Sequence, residues 1–259
     1  MPFRSMNLEE VAMYLSLTPH DIERRVRAGE IPCHQRGGRP VFLRSEIDEW
    51  ASQQILGMGE STLKAYHKAG SKEGRSGLPE EPIMPSLIRV EQIHPEMDAG
   101  TRSSAIDAAV ELAVATGKVY DPDELLESVH AREDLCSTAM PGGLALLHCR
   151  FQQAFRFEES FLVLGRTSRD IPFSAPDGRG TRFFFLLCLQ HETQHLHTLA
   201  RICLMATTTD MMRRLWNARN AEEMLQAIYD SELAALQGRR HLKVIEPNAD
   251  EEIPPEGGA

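Results

Sequence analysis

The sequence of 259 residues lacks several features that would assign it to a class at once. Its longest apolar run, near residues 183–189, is far short of the roughly 20 residues that a membrane-spanning helix needs. The first residues lack a charged start followed by a long apolar stretch, so neither secretion nor membrane insertion is expected. The five cysteines are odd in number and have no Cys-x-x-Cys spacing, which is typical of reduced thiols in a cytoplasmic protein.

Basic residues are also in short supply, because 28 Lys and Arg stand against 38 Asp and Glu and give a net charge of −10. That balance excludes a protein that coats nucleic acid over its whole surface, although a local basic face is compatible with it. Hydrophobic residues make up 42% of the chain, which is enough for a globular core.

Two segments poor in large apolar residues divide the chain. Residues 56–83 are rich in Gly, Ser, Lys and Glu and are predicted to be a linker. Residues 241–259 are acidic and proline-rich and are predicted to be a disordered tail. The sequence therefore predicts a small folded unit in residues 1–55 and a large one in residues 84–240.

The small unit has the pattern of two short helices followed by a hairpin. Asn7 and Glu10 form a capping box at the start of the first helix, and Thr18 with Pro19 marks the start of the second. Gly37 and Gly38, between two extended flanks, predict a hairpin. Two helices with a short turn between them are a helix-turn-helix candidate.

Arginines are concentrated in this unit between residues 24 and 44, where the one acid is Glu30. They are Arg24, Arg25, Arg27, Arg36, Arg39 and Arg44. A basic second helix and hairpin tip are suited to a major groove and to backbone phosphates, respectively. The segment "NLEEVAMYLSLTPHDIERRVRAGEIPCHQRGGRPVFLRSEIDEWA" resembles the excisionase or MerR-like helix-turn-helix, which implies a small winged helix-turn-helix domain that binds DNA. A protein-interaction module with surface arginines is the alternative.

The large unit alternates helical and strand patterns. "SSAIDAAVELAVATG" and "DELLESVHARE" are amphipathic and predict helices, whereas "GGLALLH", "ESFLVLG" and "RFFFLLCL" predict strands. Further helices are expected from about Thr193, from Asp210 and from Asn220. This alternation predicts an α/β domain, layered as α/β/α around a mixed sheet.

One segment of this unit, "SVHAREDLCSTAMPGGLALLHCR", resembles the active-site segment of enzyme IIA domains of the bacterial phosphotransferase system, of the fructose, mannitol and nitrogen-regulatory type. "TQHLHTLARI" and "RRLWNARNAEEMLQAI" continue the resemblance, which covers residues 84–236 or so. The resemblance implies that His148 is phosphorylated, that His195 orients and hydrogen-bonds it, and that Arg132 is the cation near the phosphoryl group. It also implies an HPr-like phosphocarrier protein as the donor, with no cofactor and no metal.

These residue types suit that chemistry. A neutral imidazole is a competent nucleophile near pH 7, and a fixed arginine compensates the charge of a loose phosphoryl-transfer transition state. Leu147 stands where the family has proline, and Ala139 and Pro141 occupy positions that are glycine-rich in the family. Pro141 removes a backbone N–H that could face phosphate. We expect a cytoplasmic regulator that couples phosphorylation of His148 to DNA binding.

Two other functions are open. An interaction module that keeps the fold but has lost phosphotransfer fits the altered loop. A zinc hydrolase fits the H-E-x-x-H pattern of His191, Glu192 and His195, with a third ligand from Glu222 or Glu223. The resemblance places His191 ahead of the helix and assigns a role to His195 alone, so His191 and Glu192 are expected to be surface residues.

Overall fold

A computed structural model describes residues 4–15, 17–63, 81–150 and 154–237 of the chain. The predicted acidic tail, residues 241–259, lies outside the described residues, as does most of the predicted linker. Within the described ranges, no helix is both long enough and apolar enough to cross a membrane.

The small unit is a winged helix-turn-helix. Its elements are β1 (Ser5–Met6), α1 (Leu8–Tyr14), α2 (Pro19–Ala28), β2 (His34–Arg36), β3 (Arg39–Leu43) and α3 (Arg44–Gly57). The Asn7–Glu10 capping box is present, and the Thr18 side chain accepts a hydrogen bond from the backbone N–H of Asp21. Gly37 and Gly38 both have positive φ (59° and 74°), as a two-residue hairpin turn of the primed type requires. The predicted helices and hairpin are confirmed.

The large unit contains six α-helices, two 3₁₀ helices (Val90–Gln92 and Ala154–Arg156) and five strands among its described residues. The α-helices are α4 (Met84–Leu87), α5 (Arg102–Val114), α6 (Pro122–Glu133), α7 (Glu192–Thr208), α8 (Met211–Asn217) and α9 (Ala221–Leu236). The strands are β4 (Ile93–Met97), β5 (Ala139–Met140), β6 (Leu144–His148), β7 (Phe161–Ile171) and β8 (Thr181–Cys188).

The five strands form one mixed sheet in the order β4-β7-β8-β6-β5. Strand β6 runs parallel to β8, and β4 parallel to β7, whereas the β7–β8 and β5–β6 pairs are antiparallel. Alternate side chains of β8 enter two different hydrophobic clusters, with Phe183 and Phe185 in one and Phe184 and Leu186 in the other. The sheet is thus buried on both faces, and the predicted layered α/β fold is confirmed.

The parallel pairing of β6 and β8 brings the ends of two distant segments together. His148 is the last residue of β6 and pairs with Leu187, near the end of β8. Helix α7 begins four residues after the end of β8, at Glu192, and carries His195 in its first turn. Because the carboxyl ends of parallel strands meet at one edge of a sheet, His148 and His195 lie at the same edge.

The small unit packs onto this edge. Helix α3 lies against α7. The hydrophobic cluster that contains Ile47, Ala51 and Ile55 of α3 is continuous with the cluster that contains Leu196 and Leu199 of α7. The two units therefore share an apolar core at this contact.

Candidate functional site

Hydrogen bonds to both ring nitrogens hold His148 in place. Its Nδ1 lies 2.8 Å from the carbonyl oxygen of Leu146, which can only accept, so Nδ1 carries the proton. Its Nε2 then has the lone pair and accepts a hydrogen bond from Nε of Arg132 at 3.0 Å. The ring is thus fixed as the tautomer whose nucleophilic atom is Nε2.

Arg132 comes from the last turn of α6 and is 2% exposed. Besides Nε, its Nη1 donates to the carbonyl oxygen of Cys136 at 3.1 Å. Its Nη2 is buried and has no hydrogen-bond partner within the described part of the chain. The guanidinium therefore presents one donor that a bound oxygen would satisfy.

The ring of His195 stacks close to that of His148, with 4.7 Å between the ring centroids and a tilt of 48°. Its Nδ1 is buried without a hydrogen-bond partner among the residues described. The resemblance implies that His195 orients His148 by a hydrogen bond, whereas the orienting contacts that the structure places on His148 are those from Leu146 and Arg132.

Both histidines are neutral in this environment. Burial, followed by the charge of Arg132, lowers the pKa of His195 to about 3. Burial, with smaller contributions from Arg132 and His195, holds the pKa of His148 well below its ordinary value of 6.5. Desolvation favours the uncharged form of an imidazole, so the lone pair on Nε2 of His148 is available at neutral pH.

A buried carboxylate holds the loop between α6 and β5 in place. Glu133 is 1% exposed and accepts hydrogen bonds from the backbone N–H and the hydroxyl of Thr138, the latter at 2.6 Å. Thr138 in turn accepts a backbone hydrogen bond from Leu146, whose own carbonyl holds His148. Glu133 was not predicted as a site residue, although it follows Arg132 directly in the resembling segment.

Pro141 lies away from His148. Because Ala139 pairs with Ala145 and Met140 with Leu144, the Pro141 turn is at the amino end of β6. His148 is at the carboxyl end of that five-residue strand, about 13 Å away at 3.3 Å per residue. The expectation that Pro141 removes a donor from the phosphate site is thus wrong for this arrangement. Leu147, in place of the family's proline, is buried and pairs with Leu186.

The H-E-x-x-H pattern does not form a metal centre in the described residues. His191 is the exposed N-cap of α7, with extended backbone, whereas His195 is buried. No group of three or more His, Cys, Asp or Glu side chains in the described ranges is arranged to hold a metal ion. Glu223, a candidate third ligand, instead pairs with Arg219.

The six arginines of the small unit fall into two groups. Arg24 and Arg27 on α2, and Arg36 and Arg39 on the hairpin, are exposed. Arg25 and Arg44 are partly buried and stack on rings of the same unit, Arg25 on Trp50 and Arg44 on Tyr14. Four of the six are therefore exposed to solvent, and two contribute to the packing of the unit.

The fold and the site together define a class of protein: an α/β unit with two buried histidines at one sheet edge, joined to a winged helix-turn-helix. The chain belongs to the family described as "Phosphoenolpyruvate-dependent sugar phosphotransferase system, EIIA 2", whose model matches residues 86–231. Residues 5–55 match the model of a helix-turn-helix domain. Both resemblances that the sequence suggested are thereby confirmed.

Relatives with known names agree with this assignment. A nitrogen regulatory protein of Pseudomonas aeruginosa is 26% identical over 152 residues, which cover 56% of this chain and 97% of the relative. The fructose-specific EIIA component of Haloferax volcanii is 24% identical over 139 residues, covering 53% of this chain and 88% of the relative. The crystal structure of the nitrogen regulatory protein IIA-Ntr from Neisseria meningitidis is 23% identical in sequence and superposes with a TM-score of 0.50. The match covers 55% of this chain and 97% of the IIA-Ntr chain, and it shows the fold.

Proposed function

We propose that this chain accepts a phosphoryl group on Nε2 of His148 from a phosphohistidine of an HPr-like carrier protein, and that this modification regulates DNA binding by the helix-turn-helix unit. The observation that carries the proposal is the environment of His148. Its Nδ1 is protonated and donates to the Leu146 carbonyl, and its Nε2 keeps a lone pair. Nε of Arg132 lies 3.0 Å from Nε2 of His148.

The transfer is balanced without any further reactant. The P–N bond on the carrier breaks, and its electron pair returns to the carrier's imidazole nitrogen. A new P–N bond forms from the lone pair on Nε2 of His148, while Nδ1 keeps its proton against the Leu146 carbonyl. Arg132 donates to that lone pair in this structure, so its hydrogen bond must pass to a phosphoryl oxygen during the reaction.

Incubation of the full chain with enzyme I, HPr and phosphoenolpyruvate tests the proposal. We expect intact-mass measurement to show one added phosphoryl group, labile in acid as a P–N bond is, and none in His148→Ala. His94→Ala, which changes an exposed histidine of β4, is the matched control and should behave as wild type. If wild type gains no phosphoryl group, or His148→Ala gains as much, the alternative of an interaction module without phosphotransfer holds.

DNA binding by the small unit is the second part of the proposal. The exposed arginines on α2 and on the hairpin support it, and each arginine–phosphate contact contributes about 0.9 to the slope of log K against log salt. We expect Arg24→Gln/Arg27→Gln to lower that slope by about 2 on a duplex of random sequence, measured by fluorescence anisotropy. Arg179→Gln, an exposed arginine of the large unit, should leave the slope unchanged. Equal slopes for wild type and the double variant would show that Arg24 and Arg27 of α2 do not contact DNA phosphates.

A further inference from the structure

The small unit covers the candidate phosphorylation site. One cavity lies between the two units, lined by Tyr14, Asp48 and Ser52 from the small unit and by Arg132, His148 and His195 from the large one. Its volume is only about 10 Å³. A cavity needs about 10–15 Å³ to hold a single water molecule, so there is no room for a phosphorus atom with three oxygens.

The covering also blocks access from outside. His148, His195 and Arg132 are 2%, 4% and 2% exposed. An incoming phosphohistidine must place its phosphorus within bonding distance of Nε2 of His148, where Tyr14, Asp48, Glu49 and Ser52 of the small unit line the cavity together with Cys149 and Arg150 of the large unit. Because Asp48, Glu49 and Ser52 all lie on α3, movement of α3 away from α7 would remove three of these residues at once.

Specific contacts hold α3 in that position. Nε2 of Gln53 donates to Sγ of Cys136 at 3.2 Å, and the carbonyl of the same Cys136 accepts from Arg132. Ser52 is 3% exposed on the neighbouring position of α3. We call Tyr14, Asp48, Ser52 and Gln53 the docking face. Gln53 of this face contacts Cys136, whose carbonyl binds Arg132, and the other three residues line the cavity beside His148.

The charge of Asp48, like the small volume of the cavity, opposes a phosphoryl group on His148 while the small unit is docked. Asp48 accepts a hydrogen bond from the Tyr14 hydroxyl, but its Oδ1 is buried without a partner in the described part of the chain. Burial raises the pKa of this carboxyl group, which reports the cost of placing its charge there. A phosphoryl group brings about −1.5 to −2 further charges at pH 7 into the same cavity. Arg132 and Arg150, which both line the cavity, compensate part of that charge, and Arg44 acts on Asp48 to lower its pKa. The carboxyl group of Asp48 opposes the remainder.

We propose that the docking face is an interaction surface for the unphosphorylated His148 site of the same chain, so that docking of the small unit and a phosphoryl group on His148 exclude each other. The proposal rests on the proposed function for its second half. Docking shields His148 until a carrier protein displaces α3, and the phosphoryl group then keeps α3 away. The state of His148 is thereby converted into a change in the position of the DNA-binding unit.

The first experiment tests docking without phosphotransfer. Ser52→Arg inserts a side chain that the cavity cannot contain, whereas Gln54→Arg adds the same charge at an exposed position of α3. We expect acylation of His148 by diethylpyrocarbonate, followed by peptide mass mapping, to be at least about tenfold faster in Ser52→Arg than in wild type. Gln54→Arg should match wild type, and far-ultraviolet circular dichroism checks that both variants are folded. Equal reactivity of His148 in wild type and folded Ser52→Arg overturns the proposal.

The second experiment follows wild type during phosphorylation and does not depend on any variant that could misfold. Hydrogen–deuterium exchange is measured before and after incubation with enzyme I, HPr and phosphoenolpyruvate, with His148→Ala in the same mixture as the control. We expect amides of α3 and of the first turns of α7 to exchange at least about tenfold faster only in phosphorylated wild type. Stoichiometric phosphorylation with unchanged exchange in α3 overturns this inference and leaves the proposed function standing. Absence of phosphorylation overturns the proposed function and the second half of this inference, whereas docking stands or falls by the first experiment.

Discussion

Replacing Arg132 with methionine should slow phosphoryl transfer to His148 by about 10³-fold, the scale on which a preorganised cationic donor contributes to phosphoryl transfer. The guanidinium lies where it can donate to the phosphoryl oxygens as the new P–N bond forms. Nε of Arg132 is 3.0 Å from the nucleophilic Nε2 of His148, and its Nη2 has no other partner in the described residues. Methionine has a similar length and tolerates burial, but it offers neither charge nor donors.

The measurement is single-turnover transfer from purified phosphorylated HPr, with the phosphorylated fraction followed by mass. Arg132→Lys should recover part of the rate, because lysine restores the charge without the planar fork that reaches both Nε2 and the Cys136 carbonyl. Arg156→Met is the matched control, since Arg156 is also buried but pairs with Glu124. A rate for Arg132→Met within threefold of wild type, in a folded protein, would show that Arg132 has no catalytic role.

The fold was largely predictable because the sequence patterns are local and consistent. Cap residues such as Asn7 and Thr18, and the paired glycines of the hairpin, each require one backbone conformation, and the structure has it. Strand β8 was identified by its apolar run, and its sides enter opposite hydrophobic clusters. The length of β7 was not predictable, because its second half contains five consecutive polar residues, 166–170, without the alternation typical of a strand.

The site was predictable only in part. His148, His195 and Arg132 were named from the resemblance, and the parallel pairing of β6 with β8 explains why residues so far apart in sequence meet. The carbonyl of Leu146, which fixes the His148 tautomer, has no signature in a sequence, since every residue has a carbonyl. The expectation for Pro141 was wrong because the β5–β6 register, which sets the distance of the turn from His148, cannot be read from the motif.

The docking face was not predictable at all. Asp48 and Ser52 lie on α3, whose sequence would suit any helix. Their proximity to His148 depends on how the two units pack. Contacts of this kind depend on tertiary geometry and not on local pattern. They also give the helix-turn-helix unit a relation to the histidine site that neither family match describes.

A buried ion pair anchors the start of the large unit, and its disruption should have the largest effect on stability. Arg201 on α7 and Glu232 on α9 pair at 2.6 Å, and both side chains are fully buried. The Glu232 carboxylate also accepts hydrogen bonds from the backbone N–H groups of Ile83 and Met84 at 2.8 and 2.9 Å. One carboxylate thus joins α7, α9 and the segment that leads into α4.

We expect Glu232→Gln to lower the free energy of unfolding by about 3–5 kcal/mol, because it removes the carboxylate charge that lies 2.6 Å from the fully buried guanidinium of Arg201. Burial already lowers the pKa of Arg201, and Glu232 opposes that shift, which shows how far the arginine depends on this partner. Urea unfolding followed by circular dichroism measures the change. Glu223→Gln, which breaks the exposed Arg219–Glu223 pair, is the matched control and should leave the free energy of unfolding close to that of wild type.

The double variant Arg201→Met/Glu232→Leu distinguishes two contributions of Glu232 to stability, which are its charge beside Arg201 and its hydrogen bonds to the backbone of Ile83 and Met84. If the loss in Glu232→Gln comes from removal of the carboxylate charge beside the buried guanidinium, removal of both charged groups should recover most of it, since apolar residues of similar volume often replace a buried pair at little cost. The backbone N–H groups of Ile83 and Met84 lose their acceptor in the double variant, so about 1–3 kcal/mol of the loss should persist. A double variant as unstable as Glu232→Gln would show that the loss does not come from the charge on Arg201, and hydrogen bonding to the α4 segment would then be the main role of Glu232.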